Sequence, residues 1–478
     1  MQMMTKNYAS LGIPSCNEPE SQRSCIAVAG RKNKEGGRGT TLQRFVLPTV
    51  VLLLLAGCSG GKGLKDAEPV QPNIILIMAD DLGYETLGVN GSTAYSTPNL
   101  DQLAESGMRF TAAYATPLCT PSRVQLMTGK YNFRNYVGFG LLDPEARTFG
   151  HMLQDAGYAT LVTGKWQLYG NKQQRELFQR TGATPQQAGF DAYHLWQIDS
   201  RPPSRFKNPG LNLNSETVTD LEGAFGPDVF ADSLISFMAQ QQGRPFFAYY
   251  PMVLTHDPFQ PTPGHPDYPT FDPVDSDVND PAYFADNVAY MDGIIGRIVN
   301  ALDEQGIRQQ TILMFIGDNG TDRDIRSAYG NREIRGDKGR PTKYGTHVPM
   351  IVNWPGTIEA GAVNNNLIDF TDFVPTLADL AGIALPEGEV FDGLSFYKQL
   401  TAEPDSVRSW VFCHYAPQWG RFEDVRYVHN HTWKLYEDGR VFNVAQDPRE
   451  RRPVERESLD EEAVELMHTF DEILARLQ

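Results

Sequence analysis

The 478-residue sequence predicts an α/β fold: a large mixed, mostly parallel sheet flanked by helices, followed by a small C-terminal α+β subdomain. Three observations carry that prediction. Short continuous apolar runs recur at the spacing of strand–helix units, as expected of strands covered on both faces. Each run ends abruptly in polar residues, the pattern of a sheet whose carboxyl edge meets a ligand. After about residue 385 the texture changes to brief strand-like stretches separated by turn signals.

Taken in order, the first element is the apolar run of residues 45–55, which follows Arg44 and leads into Leu55-Ala56-Gly57-Cys58. It is too short to span a bilayer and reads as the core of a signal peptide. Its end resembles a bacterial lipobox, with Cys58 as the lipidated first residue of the mature protein. Residues 1–57 are thus expected to be leader and the product an exported lipoprotein, anchored to a membrane in the periplasm or at the cell surface. The polar stretch before the run leaves open a start codon further in than Met1. Residues 58–72 have the composition of a flexible tether.

A catalytic domain is expected over residues 73–385, with four buried strands. Asn73 to Ala79 ends in Asp80-Asp81, Ala159 to Thr163 in Gly164-Lys165, Phe246 to Leu254 in Thr255-His256, and Thr311 to Gly317 in Asp318-Asn319. The acidic, proline-rich stretch Pro258 to Asp280 reads as a long loop. In residues 386–478, strands are expected at Ser409 to Tyr415, Asp424 to Asn430 and Thr432 to Glu437, and Asp438-Gly439 before Val441-Phe442 signals a hairpin. Ser458 with Glu461 resembles a capping box. The helix after it has an apolar face of Leu459, Val464, Met467, Phe470, Leu474 and Leu477.

A hydrophobic content of 41% marks a globular chain, and its length supplies a large core. The formal charge is −17; residues 1–57 hold seven Lys/Arg against three Asp/Glu, so the rest is more acidic still, at −21. That balance argues against a nucleic-acid partner and leaves anion selectivity to local cations. Of the five cysteines, Cys16 and Cys25 fall in the leader, and Cys58 and Cys119 have the special settings described above and below. Cys413 is then the one ordinary thiol, so no internal disulfide is expected.

Cys119-Thr120-Pro121-Ser122-Arg123 suits a nucleophile at a helix start. Pro121 pre-sets helical dihedrals in the first turn, and the free N–H groups there attract an anion. Together with Leu126-Met127-Thr128-Gly129-Lys130, the pentapeptide resembles the signature of the type I sulfatases, members of the alkaline phosphatase superfamily. The resemblance implies that Cys119 is oxidised to formylglycine by a formylglycine-generating or anaerobic sulfatase-maturating enzyme, and that the hydrated aldehyde is the nucleophile.

Asp80, Asp81, Asp318 and Asn319 are hard oxygen donors at two strand ends, suited to Ca²⁺ or Mg²⁺ rather than zinc. They match the family's metal ligands, with calcium the usual ion and the modified Cys119 joining them. Arg123, one turn into the helix, offers a planar fork that would anchor the diol. The resemblance gives Lys165 and Lys338 contacts with the sulfate and the leaving oxygen. It makes His256 the general acid.

Two positions depart from the family pattern. Gln167 stands where relatives commonly carry a histidine that helps expel sulfate, and an amide cannot act as a base; His347 is a candidate substitute or a structural residue. Lys343-Tyr344 replaces a common Glu-Gly and is expected to alter the substrate rim. Trp196, Arg201, Arg205, His414 and Trp419 mark a region of the kind that binds sugars. The reading is therefore a sulfatase acting on sulfated carbohydrate. A phosphoester hydrolase of the same superfamily and a sulfoglycan-binding pseudoenzyme are the rivals.

Overall fold

The computed structural model describes residues 71–478 apart from 200–203, 220, 242, 274–277, 404–406 and 478. The expected leader, Cys58, most of the tether and Arg201 lie outside the described residues.

The large sheet contains β1 (Asn73–Ala79), β2 (Met108–Tyr114), β3 (Ala159–Lys165), β4 (Ala192–Trp196), β5 (Leu211–Leu213), β6 (Glu216–Val218), β7 (Phe246–Pro251) and β8 (Thr311–Gly317). A separate hairpin, β9 (Arg326–Tyr329) and β10 (Arg332–Arg335), precedes its remaining strands, β11 (His347–Asn353), β12 (Ala362–Asn364) and β13 (Ile368–Asp369). The strand order is β12-β2-β11-β8-β1-β7-β3-β4-β5-β6, with β13 also on β2. Pairing is parallel through the centre, from β8 across β1, β7 and β3 to β4. It is antiparallel where β11 joins β8 and β2, and at β5 and β6.

β1 shows why the centre holds. Its residues Ile74, Leu76 and Met78 share one core with Val124, Leu126, Phe149, Phe373 and Leu377 from the helices Cys119–Thr128, Phe149–Asp155 and Phe373–Ala381. Ile75 and Ile77 point the opposite way along the pleat and are equally buried. Helix Gly226–Gln240 packs on β3 and on Phe284–Glu304, which in turn packs on Pro98–Glu105. Burial of each large apolar side chain contributes about 1.5–3 kcal/mol, so a strand filled on both faces is hard to displace.

Register then fixes the functional edge. Ala79 of β1 is level with Gly317 of β8, and Met78 with Pro251 of β7. The ladder runs on past the strands: the Asp318 amide donates to Ala79 O (3.0 Å), that of Asp80 to Leu254 O (2.9 Å) and that of Thr255 to Asp80 O (2.8 Å). Residues just beyond the ends of three strands are thus held side by side.

The C-terminal portion is a four-stranded antiparallel sheet, β14 (Val411–Tyr415), β15 (Val425–His429), β16 (Trp433–Tyr436) and β17 (Val441–Asn443), in that order. Helix Glu461–Arg476 covers one face, where Phe412, Val428, Leu435 and Val441 meet Met467, Phe470, Ile473 and Leu474. The other face, with Cys413, Tyr415 and Tyr427, packs on Leu118, next to Cys119. Two expectations are corrected here. The helix is capped by Asp460, which accepts from the Ala463 amide (2.9 Å), while Ser458 Oγ donates back to Glu455 O in a preceding 3₁₀ turn. Val464 is exposed, because the buried stripe runs through Ala463, Met467, Phe470 and Ile473 instead.

Candidate active site

Cys119 is the first residue of a helix that is buried along its whole length. Its Sγ and carboxylate oxygens of Asp80 and Asp318 all lie within 4.8 Å of one another. The helix reaches this point because β2 ends at Tyr114 and a short turn follows, held by hydrogen bonds between Thr116 and Ser122. Arg123 is buried with it. One guanidinium nitrogen donates to Lys165 O (3.0 Å), a second to Trp166 O, and Nε faces the Tyr249 hydroxyl. The fork expected to anchor the nucleophile is committed to the end of β3, the strand that delivers Lys165.

Lys165 Nζ sits 2.7 Å from Asp80 Oδ2, both side chains being almost completely buried. Burial alone would push the Asp80 carboxyl up, but Lys165, His256 and Lys338 outweigh it and hold the group well below the usual carboxylate range. Asp318 goes the other way: burial, reinforced by the charges of Asp80 and Asp81, raises it well above that range. Burial likewise raises the Cys119 thiol; Lys165 and Lys338 oppose the shift, and Asp80 and Asp318 add to it. Lys165 is raised although burial opposes it, because Asp80, Cys119, Asp318 and Asp81 surround it.

Asp81 adopts a left-handed backbone at φ 60°, a costly conformation for a non-glycine residue and one concentrated at functional sites. Its Oδ1 accepts from Asn319 Nδ2 (2.8 Å), its amide donates to Asp318 Oδ1 (2.9 Å), and its Oδ2 pairs with Lys338 Nζ. Lys338 Nζ also lies 3.3 Å from His256 Nε2. The other ring nitrogen of His256, Nδ1, is 2.9 Å from Asp257 Oδ1, and Arg205 donates to His256 O (3.0 Å).

Whether a divalent cation suits this cluster is answered by its orphans. Asp80 Oδ1 and Asn319 Oδ1 are buried and have no hydrogen-bond partner, an expensive arrangement for hard oxygen acceptors unless a cation completes it. The residues present fit such an ion.

Of the remaining expected residues, Gln167 is also left-handed (φ 46°), and its Nε2 donates to Gln197 Oε1 (3.0 Å). His347 is elsewhere. Its ring stacks on Tyr84 (centroids 4.1 Å apart), its Nε2 lies 2.9 Å from Thr111 O, and burial with nearby Lys343 lowers its pKa to about 3. It is a structural residue and does not replace the missing histidine. The sugar-binding region is divided: the Arg205 guanidinium lies over the Trp196 ring (4.9 Å) beside His256, whereas Trp419 stacks on Phe139 and His414 neighbours Phe133. Sequence reasoning missed Asp257 and Gln197. Asp257, adjacent to His256 and acidic, was the more visible of the two.

The sulfatase profile matches residues 72–383. The chain belongs to the sulfatase family. A second profile, N-sulphoglucosamine sulphohydrolase C-terminal, matches residues 337–477 of this sulfatase. Arylsulfatase A of Bos taurus is 32% identical over 402 residues, covering 74% of this chain and 72% of the relative. N-acetylgalactosamine-6-sulfatase of Canis lupus familiaris is 28% identical over 465 residues, 84% and 85% of the two chains. Among solved structures, Ps i-CgsB in complex with k-i-k-neocarrahexaose is 26% identical, with a TM-score of 0.65 over 80% of this chain and 88% of that one. The phosphonate monoester hydrolase of Agrobacterium radiobacter, at 21% identity and TM-score 0.64 over 85% and 96%, shares the fold alone. As a sulfatase, the protein is a sulfuric ester hydrolase, with the family's large, mostly parallel sheet between helices.

Proposed function

We propose that the enzyme removes sulfate from carbohydrate esters, using a formylglycine made at Cys119 and a divalent cation, calcium or alternatively magnesium, held by Asp80, Asp81, Asp318 and Asn319 with the modified residue. The observation that carries this reading is the meeting of Cys119 Sγ with Asp80 and Asp318 at the head of a buried helix. Carbohydrate as the substrate class rests on relatives: one is named for N-acetylgalactosamine 6-sulfate chemistry, and one solved neighbour holds a neocarrahexaose.

A cation bound there would supply positive charge to the sulfate group, and a formylglycine at Cys119 would supply the nucleophile. The chain's own residues do the rest. Lys165 and Lys338 bring two ammonium groups to a water-poor site, where charge that develops on the sulfuryl group is stabilised most strongly. Asp257 orients His256 through Nδ1, leaving Nε2 as the atom that holds and gives the proton needed by the departing alcohol. Arg123 clamps the end of β3 and so positions Lys165.

The test is paired. Mass spectrometry of the Cys119 peptide from the purified protein should show the thiol converted to the aldehyde, and the Cys119→Ala variant should fold normally yet release no sulfate from an aryl sulfate over many turnovers. Wild-type activity in that variant would falsify the assignment. Sulfated sugar bound without release by the converted protein would favour a pseudoenzyme. We further propose that residues 1–57 are removed and Cys58 is lipidated, so that the protein is exported and held at a membrane surface. Fractionation of cells expressing wild-type and Cys58→Ser chains should find the protein in the membrane fraction only for the wild type.

A further inference from the structure

A cavity of about 220 Å³, distinct from the cluster around Cys119, is walled by Tyr84 and Glu85 after β1, Tyr329 and Arg332 of the β9–β10 hairpin, Lys343 and Tyr344 ahead of β11, and His347 at its start. The Lys343-Tyr344 departure noted in the sequence thus lines this space. Its volume is below the roughly 300–1,000 Å³ of pockets for drug-sized ligands, which limits the occupant to a small group. The hairpin is seated by the bridge between Ser92 and Tyr329 and by the Gly330 amide donating to Gly91 O (3.2 Å), so the wall is built rather than loose.

The charge of this cavity is unbalanced. Among the described residues, neither Lys343 nor Arg332 has a carboxylate within ion-pairing distance. The two are close enough that burial and the Arg332 charge together depress the Lys343 ammonium. Arg109 adds a third cation, donating to the Tyr84 hydroxyl (3.1 Å). The acid in the wall, Glu85, is buried and accepts from Thr321 Oγ (2.6 Å), and burial raises its pKa against the pull of that hydrogen bond and of Arg449. The half-buried Lys343 and the exposed Arg332 outnumber the one acid of the wall on an otherwise acidic protein, and an anion in the cavity would be stabilised by that local excess of positive charge. Tyr84, Tyr329 and Tyr344 complete the wall, with Arg332 over the Tyr329 ring (5.3 Å) and Arg449 over that of Tyr344 (4.7 Å).

We propose that this cavity is a second anion-binding site, which takes a sulfate group either as the free ion or carried on a sugar. It stands on the cavity's own residues and not on the catalytic reading. The test is calorimetric titration of the full chain bearing Cys119→Ala with sodium sulfate and, separately, with a sulfated disaccharide. Two classes of site are expected, one of which weakens at least tenfold in the added Lys343→Gln/Arg332→Gln variant. Arg332→Gln alone in the unmodified background should keep its turnover of a small aryl sulfate. Tighter binding of the disaccharide than of sulfate at the affected class assigns the cavity to a sugar-borne group; equal binding assigns it to the free ion. An isotherm unchanged by the substitutions overturns the proposal and leaves the catalytic reading standing. If the double variant melts earlier than its parent, Arg332→Gln alone, at an exposed residue, gives the same comparison.

Discussion

At Asp80, Asp81 and Asp318 three carboxyl groups share a buried space with two lysines, and Asp80 Oδ1 and Asn319 Oδ1 are left without partners. Chelation should therefore lower the melting temperature, and calcium should restore it. An ion at about 100 times its Kd adds about 2.7 kcal/mol to the folded state. Asp318→Asn should blunt that response while activity falls, and a calcium-induced rise equal to that of wild type would contradict the ligand assignment. Gln167 makes a second residue-level case. Its amide is held by Gln197, and Gln167→His should raise the multiple-turnover rate towards the ~10²-fold that a general base typically contributes. An unchanged rate would mean that another group already takes that proton. Most of these residues were legible in the sequence because each follows a strand end or opens a helix, where spacing and chemistry coincide. The commitment of Arg123 to two carbonyls and the role of Asp257 were not, since both depend on contacts between segments far apart in the chain.

The strands place these groups, and small features of strands control how well. Gly164 precedes Lys165 with φ +115°, and a Cβ there would lie 2.1 Å from Pro251 O. Gly164→Ala should cost at least ~2 kcal/mol through backbone strain and a clash with β7. The loss is measurable as a lower urea midpoint, with weaker aryl sulfate turnover because Lys165 is displaced. Stability equal to wild type would show that β3 and β7 can separate without consequence. The buried central strands were readable because runs such as Ile74 to Met78 are apolar on both faces. β2 and β11 were harder: Arg109 and Thr111 interrupt the apolar pattern of β2, β11 opens on His347, and their antiparallel pairing is a long-range property. The terminal helix shows the same limit, since Ser458 and Asp460 are both plausible caps and only the folded chain, in which the Ala463 amide donates to Asp460, selects between them.

Over the whole molecule, acid should loosen the fold partly through two histidines. His347 and His429 are buried, and each has its pKa lowered to about 3. Below the unfolded value near 6.5 the unfolded chain binds protons that the folded one refuses, so stability falls as pH drops from 6.5 towards 3. Between pH 7.5 and 5.5 each histidine contributes a loss of about 1 kcal/mol. Asp369, raised to about 6 by burial, acts with the opposite sign and offsets part of it. The urea midpoint of His347→Gln should therefore fall less steeply over that interval than the wild type's, and parallel curves would rule out the histidine contribution. The division between the large sheet and the C-terminal sheet was visible as a change of texture, but the packing of Tyr415 and Cys413 against Leu118 was not. That packing sets a clock. The helix opened by Cys119 packs on Phe373–Ala381, and the cover over Leu118 is incomplete until at least Tyr415 has been made. At about 5–20 residues per second this is roughly 15–60 s after the cysteine leaves the ribosome's active centre. Under the proposed modification of Cys119, an enzyme that must grasp the thiol would have at least that interval of synthesis before the C-terminal sheet covers it.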